Sequence, residues 1–331
     1  MDEKRKPLFS YFRKGGRMIK VLFTYDYGKE KMDSVRKLGY DLKYVHEKKI
    51  ANRKDVEDIE ILVCYDPFKK FDISKLENLK WIQLSSIGID QVPLDYVKEK
   101  GIILTNNKGG YSIPMGEWII LKILEIYKDS KYFYNNQKEK KWKYNTNLLE
   151  LYGKTVGFLG TGTISTEAAK RLKGFGVDIL GLNTNGRDIK YFDKCYPISK
   201  IDNFLSICDI VVCAIPYTDK THHLMNEKRL NQMKEGSVLI NVSRGSIIDE
   251  KALIDVIKDG KFLGVALDVF EKEPLPESSP LWEFENVFIT PHNSWISEMR
   301  NERRFNLIYE NLKRYKDNKE LLNVVNLEKG Y

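Results

Sequence analysis

Cysteine, histidine and long apolar runs are all scarce in this sequence. It has four cysteines and four histidines among 331 residues, and no two cysteines form a C-x-x-C pair. This spacing argues against a disulfide framework or a zinc site, so we expect reduced thiols and no metal. No segment approaches about 18 uncharged apolar residues, and the N-terminus lacks a hydrophobic signal core. We therefore expect a cytoplasmic protein that does not contact a membrane.

The net charge of +8 is unevenly distributed along the chain. Residues 1–17 carry six basic and two acidic side chains, which is +4, or half of the excess. No aromatic-rich basic motif follows, so we expect no nucleic-acid partner. We interpret residues 1–17 as a disordered basic extension, and a natural start at Met18 is a simpler alternative. The rest, 42% hydrophobic and 31% charged overall, has the composition of a globular protein.

Apolar strand-like runs alternate with amphipathic stretches from Met18 onward, a pattern that predicts parallel strands joined by crossover helices. In the first part of the chain, strands are predicted at 19–24, 59–65, 81–85 and 102–105. A helix is predicted at 114–131. A second series then predicts six strands at 155–159, 177–182, 210–214, 237–242, 263–269 and 287–290, and a last helix at 294–315.

The sequence thus predicts an α/β protein of two domains. The six-strand series matches a Rossmann-type, doubly wound nucleotide-binding fold. We assign residues 113–292 to this NAD(P)-binding domain. We place it as an insertion in a flavodoxin-like substrate-binding domain formed by residues 18–112 and 293–331.

A glycine-rich turn (GTGTIS, residues 160–165) lies between a predicted strand and a helical pattern at 166–175. Gly160 allows a tight turn, and Gly162 lets the backbone approach a pyrophosphate at the helix N-terminus. Ser165 stands where the fingerprint has its third glycine. We expect Gly160, Thr161, Gly162, Thr163 and Ile164 to bind the dinucleotide.

The end of the next strand favours one of the two nicotinamide cofactors. Asn183 stands where a carboxylate would take the ribose hydroxyls of NAD, and Thr184 and Arg187 follow. An aspartate would repel a 2′-phosphate, whereas a neutral amide with a nearby arginine accommodates it. We therefore expect NADP in preference to NAD, with NAD as the open alternative.

Three polar segments follow later predicted strands: NVSRG at 241–245, ALDVFEKEP at 266–274 and TPHNS at 290–294. Together and in this order they resemble the D-isomer-specific 2-hydroxyacid dehydrogenases, the family of D-lactate, glycerate and phosphoglycerate dehydrogenases. The resemblance extends from about residue 19 to the C-terminal helix. It implies that Arg244 binds the substrate carboxylate and polarises the carbonyl, that His292 exchanges the proton, and that Glu273 is the partner of His292.

The resemblance also implies further ligand contacts. The loop LSSIGID at 84–90 would hold the substrate carboxylate through the N–H groups of Ile87 and Gly88, and Asp268 would face the nicotinamide carboxamide. The remaining cofactor residues that we expect are Pro216, Thr221, Val242, Ser243, His292 and Ser294. Two neighbouring histidines, His222 and His223, lack metal-ligand spacing and are expected to be structural or adjacent to the cofactor.

The residue types suit this chemistry independently of the resemblance. Reducing a keto acid places negative charge on the carbonyl oxygen as hydride reaches the carbon, so the site needs a proton donor and a fixed cation. Histidine, with an unperturbed pKa of about 6.5, suits the donor. Arginine suits the clamp because its planar fork matches a carboxylate and remains charged.

We therefore expect an NAD(P)-dependent 2-hydroxyacid dehydrogenase, or 2-oxo acid reductase, acting on an acid such as glyoxylate, hydroxypyruvate or 3-phosphoglycerate. Glu273 argues against formate oxidation, which needs no proton transfer. The alternative is a non-catalytic dinucleotide sensor of the corepressor kind. The helix predicted at 114–131 and the aromatic, lysine-rich stretch at 132–144 that follows it resemble the family's dimer-forming region, so we expect a homodimer.

Overall fold

The computed structural model describes residues 18–53 and 55–330. The predicted basic extension, residues 1–17, lies outside them. The described residues form two compact units, one running from Tyr111 to Glu298 and the other comprising the residues up to Gly110 together with those from Met299. The boundaries expected from sequence, 112/113 and 292/293, differ from these, and the division of functions between the units remains a prediction.

The first unit is a five-stranded parallel sheet with helices. Its strands are β1 Ile19–Phe23, β2 Tyr40–Tyr44, β3 Ile61–Cys64, β4 Trp81–Leu84 and β5 Ile103–Thr105, and its helices are α1 Lys29–Lys37, α2 Leu94–Glu99 and, near the C-terminus, α9 Arg300–Lys316. The strand order is β2-β1-β3-β4-β5, and every pairing is parallel. This is the flavodoxin-like order that we expected.

The side chains along the strands of the first unit alternate between the two faces of the sheet and pack into two separate core layers. Val21, Phe23 and Ile61 pack with side chains of α9 on one face of the sheet. Leu22 and Leu62 pack on the other face, in a second cluster. Successive side chains of a strand point to opposite faces, so a sheet covered on both sides needs continuous apolar strands.

The second unit contains a seven-stranded parallel sheet. Its strands are β6 Thr155–Leu159, β7 Asp178–Asn183, β8 Lys194–Pro197, β9 Ile210–Cys213, β10 Ser237–Asn241, β11 Phe262–Leu267 and β12 Val287–Ile289, and its helices are α3 Ser112–Tyr127, α4 Ser130–Lys138, α5 Thr163–Leu172, α6 Ile201–Ile207, α7 Glu227–Gln232 and α8 Glu250–Lys258. The order β12-β11-β10-β9-β6-β7-β8 is the doubly wound Rossmann arrangement with one strand added.

Several predicted elements differ from those of the structure. The strands β2 and β8 lie at sheet edges, and both were absent from the prediction. The helix expected at 114–131 ends at Tyr127, because Asp129 adopts a left-handed backbone (φ 48°) and a new helix begins at Ser130. The helix expected from residue 294 begins only at Arg300. Within the described residues, no helix is both long and apolar enough to cross a membrane.

Candidate active site

The predicted site residues of the second unit lie at one edge of its sheet. The loops that carry them follow β6, β7, β9, β10, β11 and β12, and these strands are all parallel. The carboxyl ends of parallel strands meet at a common edge, which is where ligands of open α/β sheets bind. The sheet therefore brings together fifteen predicted positions at the ends of six strands and in the segments that follow them: Gly160, Thr161, Gly162, Thr163, Ile164, Asn183, Thr184, Arg187, Pro216, Thr221, Val242, Ser243, Asp268, His292 and Ser294.

The glycine turn lies at the switch point of this sheet, where β6 and β9 are neighbours. Gly160 has φ 93°, and a Cβ there would lie 2.7 Å from the carbonyl oxygen of Ala214, so glycine is needed for the turn to pack against the loop after β9. A Cβ on Gly162 would meet nothing within 4 Å. The backbone of this residue is therefore open to a ligand.

The helix α5 begins at this turn without a side-chain cap, since its N-cap residue is Gly162. The first N–H groups of a helix have no partner within the helix, and they favour an anion together with the helix dipole. An uncapped N-terminus at the switch point therefore fits the pyrophosphate of a dinucleotide.

The loop after β7 is organised by the buried side chain of Asn183. Its Oδ1 accepts hydrogen bonds from the N–H groups of Asn185, Gly186 and Arg187 at 3.3, 2.8 and 3.1 Å, and its Nδ2 donates to the carbonyl of Arg187 at 2.9 Å. The amide is thus engaged inside the loop. Thr184 and Arg187 are exposed on it.

The loop after β9 is tied to the loop after β10. The Oγ1 of Thr221 donates to the carbonyl of Pro216 at 2.8 Å, which closes the 216–221 segment. The hydroxyl of Ser243 donates to the carbonyl of Ile215. Val242 and Ser243 are therefore held beside the segment that follows the switch-point strand β9.

Arg244 is presented by a structured turn. Asn241, only 1% exposed, accepts a hydrogen bond from the N–H of Ser243 at 3.0 Å and donates to the carbonyl of Arg244 at 2.9 Å. One guanidinium nitrogen of Arg244 donates to the carbonyl of Ser243 at 2.8 Å. Gly245 lies directly against the next loop, since a Cβ there would be 1.8 Å from the carbonyl carbon of Phe270.

Asp268 is almost fully buried (1% exposed) and holds the loop that carries His292. Its carboxylate accepts from the N–H groups of Asn293 at 2.8 Å and Ser294 at 3.0 Å, and its carbonyl accepts from the N–H of His292 at 2.8 Å. The carboxylate expected to face the nicotinamide is therefore directed at the 290–294 segment. The hydroxyl of Ser294 is buried and has no partner among the described residues.

His292 and Glu273 form a pair, with 2.9 Å between Nδ1 and Oε2. Although partial burial acts to raise the pKa of Glu273, the hydrogen bonds from His292 and from the N–H of Phe270, with the charge of Arg244, hold it below its usual value. The carboxylate is therefore charged at neutral pH and can only accept a hydrogen bond from the Nδ1 of the ring. Since Nδ1 faces Glu273, Nε2 is the nitrogen left for a substrate.

Ile87 and Gly88, in the first unit, follow β4 at the carboxyl edge of the five-stranded sheet. The carbonyls of residues 86, 87 and 88 accept hydrogen bonds from the N–H of Asn107 (2.7 Å), the Nδ2 of Asn106 (2.9 Å) and the hydroxyl of Ser86 (2.8 Å). The carbonyls of this loop are thus engaged within the protein, and the binding of a ligand by its N–H groups remains a prediction.

Two residues that the sequence analysis does not single out help to build the site. Asn241 shapes the turn of Arg244, and the indole N–H of Trp295 donates to the carbonyl of His292 at 2.8 Å. Asparagine at the end of a strand, as Asn241 is at the end of β10, is a signal for such a side-chain-to-backbone turn. The sequence gives no comparable signal for Trp295.

A doubly wound sheet with an uncapped helix at its switch point, and an Arg, Glu and His set at the same edge, defines a dinucleotide-dependent oxidoreductase. The comparisons with known proteins specify the family. Residues 120–294 match the family described as "D-isomer specific 2-hydroxyacid dehydrogenase, NAD binding domain". The chain belongs to this family, and it is an oxidoreductase that acts on a CH–OH group with NAD or NADP.

Relatives and a solved structure extend the match to most of the chain. A glyoxylate reductase of Thermofilum pendens is 34% identical over 78% of this chain and 79% of that protein. A D-3-phosphoglycerate dehydrogenase of Methanocaldococcus jannaschii is 31% identical over 82% of this chain and 52% of that protein, so the match spans about half of it. A D-isomer-specific 2-hydroxyacid dehydrogenase of Xanthobacter autotrophicus, solved with NADPH and MES, has 27% identity and a TM-score of 0.83, covering 95% of this chain and 100% of its own.

Proposed function

We propose that this protein reduces a small 2-oxo acid such as glyoxylate or hydroxypyruvate with NADPH, or oxidises the corresponding D-2-hydroxy acid, with Arg244, Glu273 and His292 as its catalytic residues. The observation that carries this proposal is the 2.9 Å pair between the Nδ1 of His292 and the Oε2 of Glu273. It leaves Nε2 of the ring to give a proton to the carbonyl oxygen or to take one from the hydroxyl. The nicotinamide, when bound, supplies or accepts the hydride.

Arg244 has two roles in this proposal. Its guanidinium binds the substrate carboxylate and stabilises the negative charge that develops on the carbonyl oxygen. The turn built by Asn241 fixes the backbone of Arg244, and the bond from its guanidinium to the carbonyl of Ser243 holds the side chain. In the first unit, the N–H groups of Ile87 and Gly88 form a carboxylate-binding element, which their engaged carbonyls support.

The chemistry of the site and the names of the relatives both support glyoxylate or hydroxypyruvate as the substrate. The Thermofilum relative is named a glyoxylate reductase, and a relative from Blautia hydrogenotrophica that is 28% identical is named a hydroxypyruvate reductase. 3-Phosphoglycerate remains a candidate because of the Methanocaldococcus relative.

A panel of 2-oxo acids, each followed by the absorbance of NADPH and of NADH, tests the proposal. We expect turnover of glyoxylate or hydroxypyruvate, and faster turnover with NADPH. Cofactor binding without oxidation of either cofactor by any acid in the panel would contradict the proposal and favour a dinucleotide sensor.

The preference for NADPH rests on the loop after β7, where Asn183 is neutral and Arg187 is exposed. In Asn183→Asp, the carboxylate can still accept the three N–H groups of the loop, although it no longer donates to the carbonyl of Arg187, and its charge repels a 2′-phosphate. We expect kcat/KM with NADPH to fall about tenfold relative to that with NADH. Asn183→Ala is the matched control, because it removes the loop's internal bonds without adding charge and should weaken both cofactors equally. An unchanged preference in Asn183→Asp would contradict this role.

We also propose a homodimer, formed through the segment that follows α4. Three large aromatic side chains of this segment are largely exposed: Trp142 at 91%, Tyr144 at 83% and Tyr152 at 76%. Large aromatics at a protein surface are typical of interfaces. We expect sedimentation to show a dimer at several concentrations, and the double variant Trp142→Lys with Tyr144→Lys to sediment as a monomer.

The matched control for the dimer is Trp282→Lys, a change at a tryptophan that is 51% exposed elsewhere in the same unit. It should leave the dimer intact. A wild-type monomer at every concentration would refute the assembly.

For the location we propose the cytoplasm, because the four cysteines are unpaired and buried, as suits a reducing compartment.

A further inference from the structure

The second unit contains another histidine–carboxylate pair, His223 with Glu271, that has no part in the proposed chemistry. The Nε2 of His223 lies 2.7 Å from the Oε1 of Glu271, and both side chains are 35% exposed. Glu271 is two residues from Glu273 on the same loop. The loop thus carries two carboxylates, each paired with a different histidine.

Glu271 also joins this loop to the start of helix α8. Its Oε1 accepts a hydrogen bond from the N–H of Glu250 at 3.2 Å, and its own N–H donates to the Oε2 of Glu250 at 3.2 Å. This reciprocal exchange fixes both the backbone and the side chain of Glu271. The position of Glu271 is therefore fixed by its hydrogen bonds to the first residue of α8.

His223 is itself held rigidly. Its backbone is left-handed (φ 47°), its N–H donates to the carbonyl of Ser246 at 2.8 Å, and its ring stacks on His222 with 3.9 Å between centroids. Ser246 lies two residues after Arg244. His223 thus contacts the loop of Arg244 through its backbone and the loop of Glu273 through its ring.

Both carboxylate oxygens of Glu273 have a described contact. Oε1 accepts from the N–H of Phe270 at 3.1 Å, Oε2 faces His292, and the charge of Arg244 acts on the same carboxylate. Its direction therefore depends on where residues 270 and 271 are held. Gly245 packs against those two residues so closely that a Cβ would lie 2.2 Å from the N–H nitrogen of Glu271.

We propose that His223 and Glu271 are positioning residues. They hold the 270–273 loop against the 244–246 loop and thereby set the direction in which Glu273 meets His292. This inference rests on the proposed function of Arg244, Glu273 and His292. A hydrogen bond to a carboxylate is strong enough for such a task, and a displacement of about 1 Å at a reacting group costs up to about 100-fold in rate.

The test compares Glu271→Ala, Glu271→Gln, His223→Asn and the double variant Glu271→Ala with His223→Asn. We expect kcat to fall about tenfold in Glu271→Ala, with unchanged NADPH binding and a smaller loss in Glu271→Gln, which keeps an acceptor oxygen. The double variant should lose no more than the worse single variant, because the two residues act as one unit. Glu277→Ala, at an exposed carboxylate further along the same segment, is the matched control and should retain full activity.

A spectroscopic readout separates this proposal from the proposed function. The chain has four histidines, so their ring nitrogen signals can be assigned one by one by NMR. We expect the Nδ1 signal of His292 to move in Glu271→Ala and to stay in place in Glu277→Ala, whether or not a substrate has been found. An unmoved His292 signal with full kcat, or single losses that add fully in the double variant, would overturn the positioning role. A wild-type protein that reduces no 2-oxo acid would instead overturn the proposed function.

Discussion

Replacing His292 with glutamine is expected to lower kcat for 2-oxo acid reduction by about 10²- to 10⁴-fold. Glutamine retains a polar side chain of similar reach, but it cannot give up a proton near neutral pH. The dinucleotide turn at 160–164 is unaltered, so the binding of NADPH should persist. Stopped-flow reduction of glyoxylate, with a fluorescence titration of NADPH alongside, measures both quantities.

His46→Gln is the matched control for that variant. His46 belongs to the first unit, where its Nδ1 accepts from the N–H of Lys48 at 3.2 Å. The same chemical change there should leave kcat near its wild-type value. Full turnover by His292→Gln would show that another group transfers the proton and that the role given to His292 is wrong.

Replacing Arg244 with lysine is expected to lower kcat by about 10²- to 10³-fold and to raise KM for the acid. Lysine keeps the positive charge, but it is a point charge without the planar fork that binds a carboxylate through two parallel hydrogen bonds. It also loses the N–H that now donates to the carbonyl of Ser243. Steady-state kinetics over a range of acid concentrations separate the two effects.

Arg229→Lys serves as the control for this second variant. Arg229 lies on α7, and its guanidinium binds Asp202 on α6 and the carbonyl of Leu224 in the loop before α7. The same substitution there should affect the melting temperature rather than kcat. Equal kinetic losses in the two variants would mean that the Arg244 effect is structural, and the carboxylate clamp would have to be sought elsewhere.

The sequence predicts the parts of the fold and site that are encoded in short contiguous segments. The central strands β9 and β10 are buried along their whole length, so they are visible as apolar runs. The strand β8 has only one buried residue, Cys195, and ends in proline, so its sequence gives little strand signal. Edge strands are specified by the neighbour they pair with more than by their own composition.

The same division holds for the site. The glycine turn at 160–164 and the segments around Arg244, Glu273 and His292 are recognisable because each has its chemistry within a few residues. The hydrogen bonds that Asn183 and Asp268 accept within the protein cannot be recognised in the sequence, because they depend on which N–H groups the fold brings to each side chain. The His223–Glu271 pair joins residues 48 positions apart, and only the three-dimensional fold brings them together.

The backbone of His292 is left-handed, with φ 51°, and two carbonyls, those of Asp268 and Thr290, accept its N–H. For a residue with a Cβ this conformation is unfavourable by about 1–2 kcal/mol. Glycine at this position would therefore relieve strain while removing the ring. Selection for thermostability alone would therefore favour glycine over histidine at this position. Stability and turnover are opposed at this residue, and selection for activity is what retains the histidine.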